Sequence, residues 1–127
     1  MALATNILVI EDDEAIRDAL CDLLRDEGFS VACACDGVEG LAQIERSRPR
    51  LVLLDWWMPR MDGGAFLRVW QGSAAFDPAL PIVLMTGVAD QAVVCDGLPV
   101  AGYMRKPVEM AALLAVVLEH CGPGVAK

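Results

Sequence analysis

Four short stretches carry the side chains able to do chemistry: Glu11-Asp12-Asp13-Glu14, Asp55-Trp56-Trp57-Met58-Pro59, Thr86-Gly87 and Arg105-Lys106-Pro107. Carboxylates at this density repel one another and call for a hard cation. Mg2+ suits them, because it takes one or two carboxylates and keeps waters and phosphate oxygens in its other octahedral positions. Lys106 can offer a mobile point charge to a phosphoryl oxygen, and Thr86 a neutral hydrogen bond. Lys106 is the only internal lysine, every other internal basic residue being arginine. An ammonium and a guanidinium are not interchangeable, so the choice is a chemical one. Asp55, at the end of an apolar run, can attack phosphorus as a carboxylate nucleophile.

The elements that must bring these stretches together alternate in period. Asn6–Ile10, Leu51–Leu54 and Ile82–Met85 are unbroken apolar runs bounded by turn residues, the pattern of strands buried on both faces of a parallel sheet. Ser30–Ala34 and Ala101–Met104 are weaker strands. Helical spacing joins Ile16, Leu20, Leu23 and Leu24 before Gly28, and Val38, Leu41 and Ile44 between an Asp36 cap and Pro49. Phe66, Leu67 and Trp70 mark another helix, and Met110, Leu113, Leu114, Val117 and Cys121 a last one stopped by Gly122-Pro123. A further helix is expected within 89–98, next to the interrupting Gly97 and Pro99. Strand and helix units in this succession imply an open parallel sheet with helices on both faces. In such sheets ligands bind beyond the carboxyl ends of the strands. The four chemical stretches all follow strands, so three acids, a hydroxyl and an ammonium converge on one rim.

Composition narrows the classes. The 127 residues make one domain by length, and 56% hydrophobic residues with a mean hydropathy of +0.47 exclude a disordered tail. The longest apolar stretch, Ala111–Leu118, is far short of the ~20 residues of a membrane span. Ten Lys and Arg against eighteen Asp and Glu give a net charge of −8, which argues against direct nucleic-acid binding. There is no signal-peptide pattern at the N-terminus. The five cysteines form no C-x-x-C pair, and the one histidine leaves no zinc set. Cys33 and Cys35 share a strand face, where a ligand or redox pair is conceivable; buried free thiols are the expected state. A cytoplasmic protein follows.

At these residues the sequence resembles the receiver domains of two-component response regulators, in their single-domain, chemotaxis-regulator-like form. The matching motifs are Ile7–Glu14, Leu51-Val-Leu-Leu-Asp-Trp-Trp-Met-Pro-Arg-Met-Asp-Gly63, Met85-Thr-Gly87 and Gly102-Tyr-Met-Arg-Lys-Pro107. The resemblance implies a flavodoxin-like, doubly wound five-stranded parallel sheet of order 2-1-3-4-5 with five helices. It makes Asp55 the phospho-acceptor and puts Mg2+, with Mn2+ as a substitute, on Glu11, Asp12, Asp55 and the backbone carbonyl of Trp57. Thr86 and Lys106 would bind the phosphoryl group, Thr86 and Tyr103 would form the switch, and the Lys106-Pro107 bond would be cis. Trp57 and Val88 would flank the path of the water that ends the phosphorylated state. Neither can accept a proton, so that state is expected to last.

The donor implied is a sensor histidine kinase or phosphotransfer protein, and the output a downstream protein target, with the chain a monomer or a weak phosphorylation-dependent dimer. The chain would promote its own phosphorylation and dephosphorylation, with no separate turnover substrate. Residues 1–127 are expected to be a single receiver domain, ordered over about 5–121, with 122–127 a tail or linker stub. Two other readings compete. A receiver fold working as an interaction module without phosphorylation would have lost an acid, the threonine or the lysine, and none is lost. A haloacid-dehalogenase-like phosphatase, with its aspartyl-phosphate intermediate, puts the nucleophile after the first strand and a second acid two residues on. Here Asp55 follows the third strand and position 57 is tryptophan.

Overall fold

The three unbroken apolar runs become the centre of one sheet. The structure, a computed structural model, describes residues 6–87 and 99–122. In chain order its elements are β1 (Ile7–Ile10), α1 (Glu14–Asp26), β2 (Val31–Ala34), α2 (Gly37–Ser47), β3 (Leu51–Asp55), α3 (Gly63–Gln71), β4 (Ile82–Thr86), β5 (Gly102–Arg105) and α4 (Met110–Cys121). The strands lie in the order β2-β1-β3-β4-β5, all pairings parallel. Every residue of β1, β3 and β4 is buried, whereas the edge strands β2 and β5 are only partly so. That difference is why the edge strands read weakly in the sequence. Four helices are present among the described residues; the one expected within 89–98 lies outside them.

Alternate residues of each strand face opposite sides, and two cores result. Ile7, Val9, Leu51, Leu53, Val83 and Met85 pack against Cys21 and Leu24 of α1 and Leu113 and Val117 of α4. Leu8, Ile10, Val52, Leu54, Ile82 and Leu84 pack against Ile44 of α2 and Phe66, Leu67 and Trp70 of α3. Helix starts follow local chemistry. Asp13, Asp36 and Asp62 each accept a backbone N–H of the first turn, from Ile16, Glu39 and Ala65, satisfying donors that have no partner inside the helix.

Several expectations are corrected. Ile16, Val38 and Met110 are exposed, not core; α2 turns Gly37, Gly40 and Ile44 inward instead. The reason is close approach, since a Cβ on Gly40 would lie 2.5 Å from Ile10 Cδ1. The cysteines are not all buried thiols: Cys21 and Cys33 are joined as a disulfide between α1 and β2, Cys35 is exposed, and Cys121 alone of the described cysteines is a buried thiol. Cys95 lies outside the described residues. None of the described helices is long and apolar enough to cross a membrane.

Gly40→Val would push two methyl groups toward Ile10 and Phe66. Overpacking of this kind costs about 1–3 kcal/mol, so the urea midpoint should fall with the slope unchanged. An unchanged midpoint would show that α2 does not dock through Gly40.

Candidate functional site

Four parallel strands end at one rim, and the reactive residues occupy their last positions or the ones just beyond. Asp55 and Thr86 are the final residues of β3 and β4, paired in register with Met85 and Arg105. Glu11 and Asp12 follow β1, and Lys106 follows β5. Glu11 is 1% exposed and Asp55 2%, so both carboxyls are inside the rim, whereas Asp12 is exposed.

Lys106 ties the rim together. Its Nζ is 2.9 Å from Glu11 Oε1 and 2.8 Å from Asp55 Oδ1. Its backbone N–H donates to the Thr86 carbonyl at 2.6 Å, which continues the β4–β5 ladder one residue past the strand. The Lys106-Pro107 peptide bond is cis, as the resemblance implied. The second Glu11 oxygen accepts the Asp13 N–H at 3.2 Å, and Arg17 Nη1 donates to the Glu11 carbonyl at 3.0 Å. Arg17 was not singled out in the sequence. Its only signal there is a lone arginine inside an otherwise acidic first half of α1.

Burial sets the protonation of the site. It raises Asp55 to about 7, opposed by the Lys106 hydrogen bond and reinforced by the negative charge of Glu11. Burial works against the Lys106 ammonium too, but the bonds from Asp55 and Glu11 more than offset it, so its pKa is raised. Glu11, Asp12 and Asp55 each bring one carboxylate oxygen to a cluster whose ligand atoms lie within 4.8 Å of one another. An all-oxygen, anionic set fits a hard divalent cation such as Mg2+. Trp57, in the turn after β3, is 65% exposed, and Tyr103 on the edge strand is 56% exposed, so Tyr103 is no core filler. Val88 lies outside the described residues.

This arrangement agrees with the comparisons with known proteins. The profile of the response regulator receiver domain matches residues 7–118. Response regulator MprA of Mycobacterium tuberculosis is 35% identical over 113 residues, which are 89% of this chain and 49% of that protein. DNA-binding response regulator MtrA of Mycolicibacterium paratuberculosis is 37% identical over 113 residues, 87% of this chain and 48% of that one. The chain thus spans about half the length of the curated relatives it matches. Among solved structures, the receiver domain of the sensor histidine kinase PA1611 of Pseudomonas aeruginosa superposes with a TM-score of 0.82 at 25% identity. That match covers 94% of this chain and 99% of the other, whose active-site cleft coordinates a magnesium ion. The chain belongs to the response regulator receiver domain family of two-component systems.

A carboxyl raised by folding contributes stability that is fully present below its unfolded value near ~4 and is lost as pH rises. For Asp55 without metal that loss runs up through about 7. A cation needs the carboxylate, so Mg2+ binding, followed by tryptophan fluorescence, should tighten between about pH 6 and pH 8. Asp55→Asn should flatten that dependence. The same pH profile in both proteins would contradict the assignment of Asp55.

Proposed function

We propose that this receiver is a phosphorylation-activated switch whose acceptor is Asp55. The observation that carries the reading is the Lys106 ammonium held between the Asp55 and Glu11 carboxylates at the strand ends. A carboxylate oxygen of Asp55 attacks the phosphorus of a phosphohistidine on a sensor histidine kinase or phosphotransfer protein. The new O–P bond forms as the donor's N–P bond breaks, and the histidine leaves with the bonding pair. Lys106, already within hydrogen-bond reach of Asp55, transfers its donor contact to a phosphoryl oxygen and offsets the charge gathering there. Thr86, on the adjacent strand end, donates its hydroxyl to another. Glu11, Asp12, Asp55 and the Trp57 carbonyl would hold Mg2+ or Mn2+, which supplies positive charge next to the same oxygens.

Phosphorylation changes which contacts Thr86 and Tyr103 make, and a difference in contacts between two states is what shifts their populations. Tyr103 is well placed for this role because it is exposed on an edge strand. The output is a changed protein-binding face on a cytoplasmic chain, read by a downstream protein target, in a monomer or a weak phosphorylation-dependent dimer. Residues 1–127 act as one receiver domain. A net charge of −8 argues against direct contact of this domain with nucleic acid, whatever the rest of a DNA-binding relative such as MtrA does.

Two outcomes are expected. With Mg2+ and acetyl phosphate the protein gains one base-labile phosphoryl group, Asp55→Ala gains none, and Lys106→Ala keeps Mg2+ binding but labels at least tenfold more slowly. Full labelling of Asp55→Ala, read by intact mass, would refute the acceptor. The second outcome concerns lifetime. Neither Trp57 nor Val88 can accept a proton from the attacking water, and positioned acid–base groups contribute ~10²–10⁴-fold. Phosphate release after donor removal should therefore be slow, and faster by about tenfold or more in the Trp57→Asn, Val88→Glu double variant. Release within seconds, unaltered by the substitutions, would show that these side chains do not govern it.

A further inference from the structure

The turn after Asp55 is held by a packing contact that the receiver motifs do not require. Trp56 is partly buried against the core shared by α2 and α3. Its N–H donates to the Met85 carbonyl at 3.1 Å, and its own carbonyl accepts the Gly63 N–H at 2.8 Å, closing the turn on itself. Its indole lies across the first two residues of α3. A Cβ on Gly63 would come within 2.9 Å of Trp56 Cε3, and a Cβ on Gly64 within 3.0 Å of Trp56 Cη2. Gly63 ends the Met-Pro-Arg-Met-Asp-Gly stretch of the family resemblance, but Gly64 lies beyond it. Gly64 has none of the left-handed φ angles that demand glycine. Glycine is a poorer helix former than alanine, and the tightest contact a Cβ on Gly64 would make is with the indole, Asp62 Oδ1 and Arg68 Nη1 lying at ordinary contact distances of 3.5 and 3.6 Å.

We propose that Trp56 and Gly64 are a fitted pair that positions the Trp57 carbonyl for the divalent cation. The inference rests on the metal reading above, and it adds two positioning residues that touch neither metal nor phosphate. Trp57 follows Trp56 inside the closed turn, so displacing the indole displaces the carbonyl next to it. Changes one layer out from a metal cost 10–100-fold in affinity. The cost also depends on the cation. Mg2+ demands near-ideal octahedral geometry, whereas Ca2+ accepts longer and more variable contacts.

The test measures Mg2+ and Ca2+ affinities by calorimetry in wild type, Gly64→Ala, Trp56→Leu and the double variant. Unfolding of each is followed without metal to register any loss of fold. Gly64→Ala should weaken Mg2+ about tenfold and Ca2+ less than threefold. In the Trp56→Leu background, where the ring is gone, adding Gly64→Ala should change Mg2+ affinity less than twofold. An equal effect of Gly64→Ala in both backgrounds, no effect at all, or equal losses for both cations would overturn the fitted pair. Should Gly64→Ala not fold, Trp56→Leu decides by itself: Mg2+ affinity weakened about tenfold with Ca2+ changed less than threefold supports the pair, and an unchanged Mg2+ affinity overturns it. Wild type that binds neither cation would instead refute the metal reading itself.

Discussion

A lysine shared between two buried carboxylates is the interaction on which the rim depends. Glu11 and Asp55 face each other from the ends of neighbouring strands, and in a poorly hydrated site one of two such acids would keep its proton. Lys106 lies within 2.9 Å of both and offsets part of that cost, although burial still leaves Asp55 raised to about 7. It can do so only if residues 95 positions apart in the chain arrive together. The whole sheet order is therefore a condition of the site. β1 must lie beside β3, and β5 must follow β4, for the ammonium to reach both acids.

The same geometry gathers an anionic, all-oxygen set of the kind that suits a hard cation. Folding raises Asp55 to about 7 even with Lys106 bonded to it, and a divalent cation would compensate the remaining charge. The carboxylate of such an acid is stabilised by any group that brings positive charge. On the Glu11 side Arg17 of α1 bonds the Glu11 carbonyl and the Asp13 N–H its carboxylate, and on the Asp55 side the Trp56 indole packs against the first residues of α3.

Much of this was legible in the sequence, for identifiable reasons. Buried parallel strands are continuous apolar runs, so β1, β3 and β4 stood out, and the residues that follow them carried the chemistry. The sheet order came with the family resemblance. Side-chain facing was less legible. The 3.6-residue period put Val38 and Met110 inward, but the tight docking of Gly40 on Ile10 turns α2 so that Val38 faces solvent. Periodicity records which residues share a helix face and is silent about how closely that face approaches its partner. The Cys21–Cys33 pairing, the Arg17 bond to Glu11 and the Trp56–Gly64 contact are likewise tertiary facts. Each joins residues whose types alone fit many environments.

The central claim is that the carboxylate beside Lys106 receives the phosphoryl group. Borohydride reduces an acyl phosphate on aspartate to homoserine, which marks the acceptor covalently in the unmutated protein. After treatment with Mg2+ and a phosphodonor, peptide mapping should find homoserine at position 55 and nowhere else. A mark at Glu11 or Asp12, or a protein that gains phosphate yet shows no reduced residue at 55, would contradict the account.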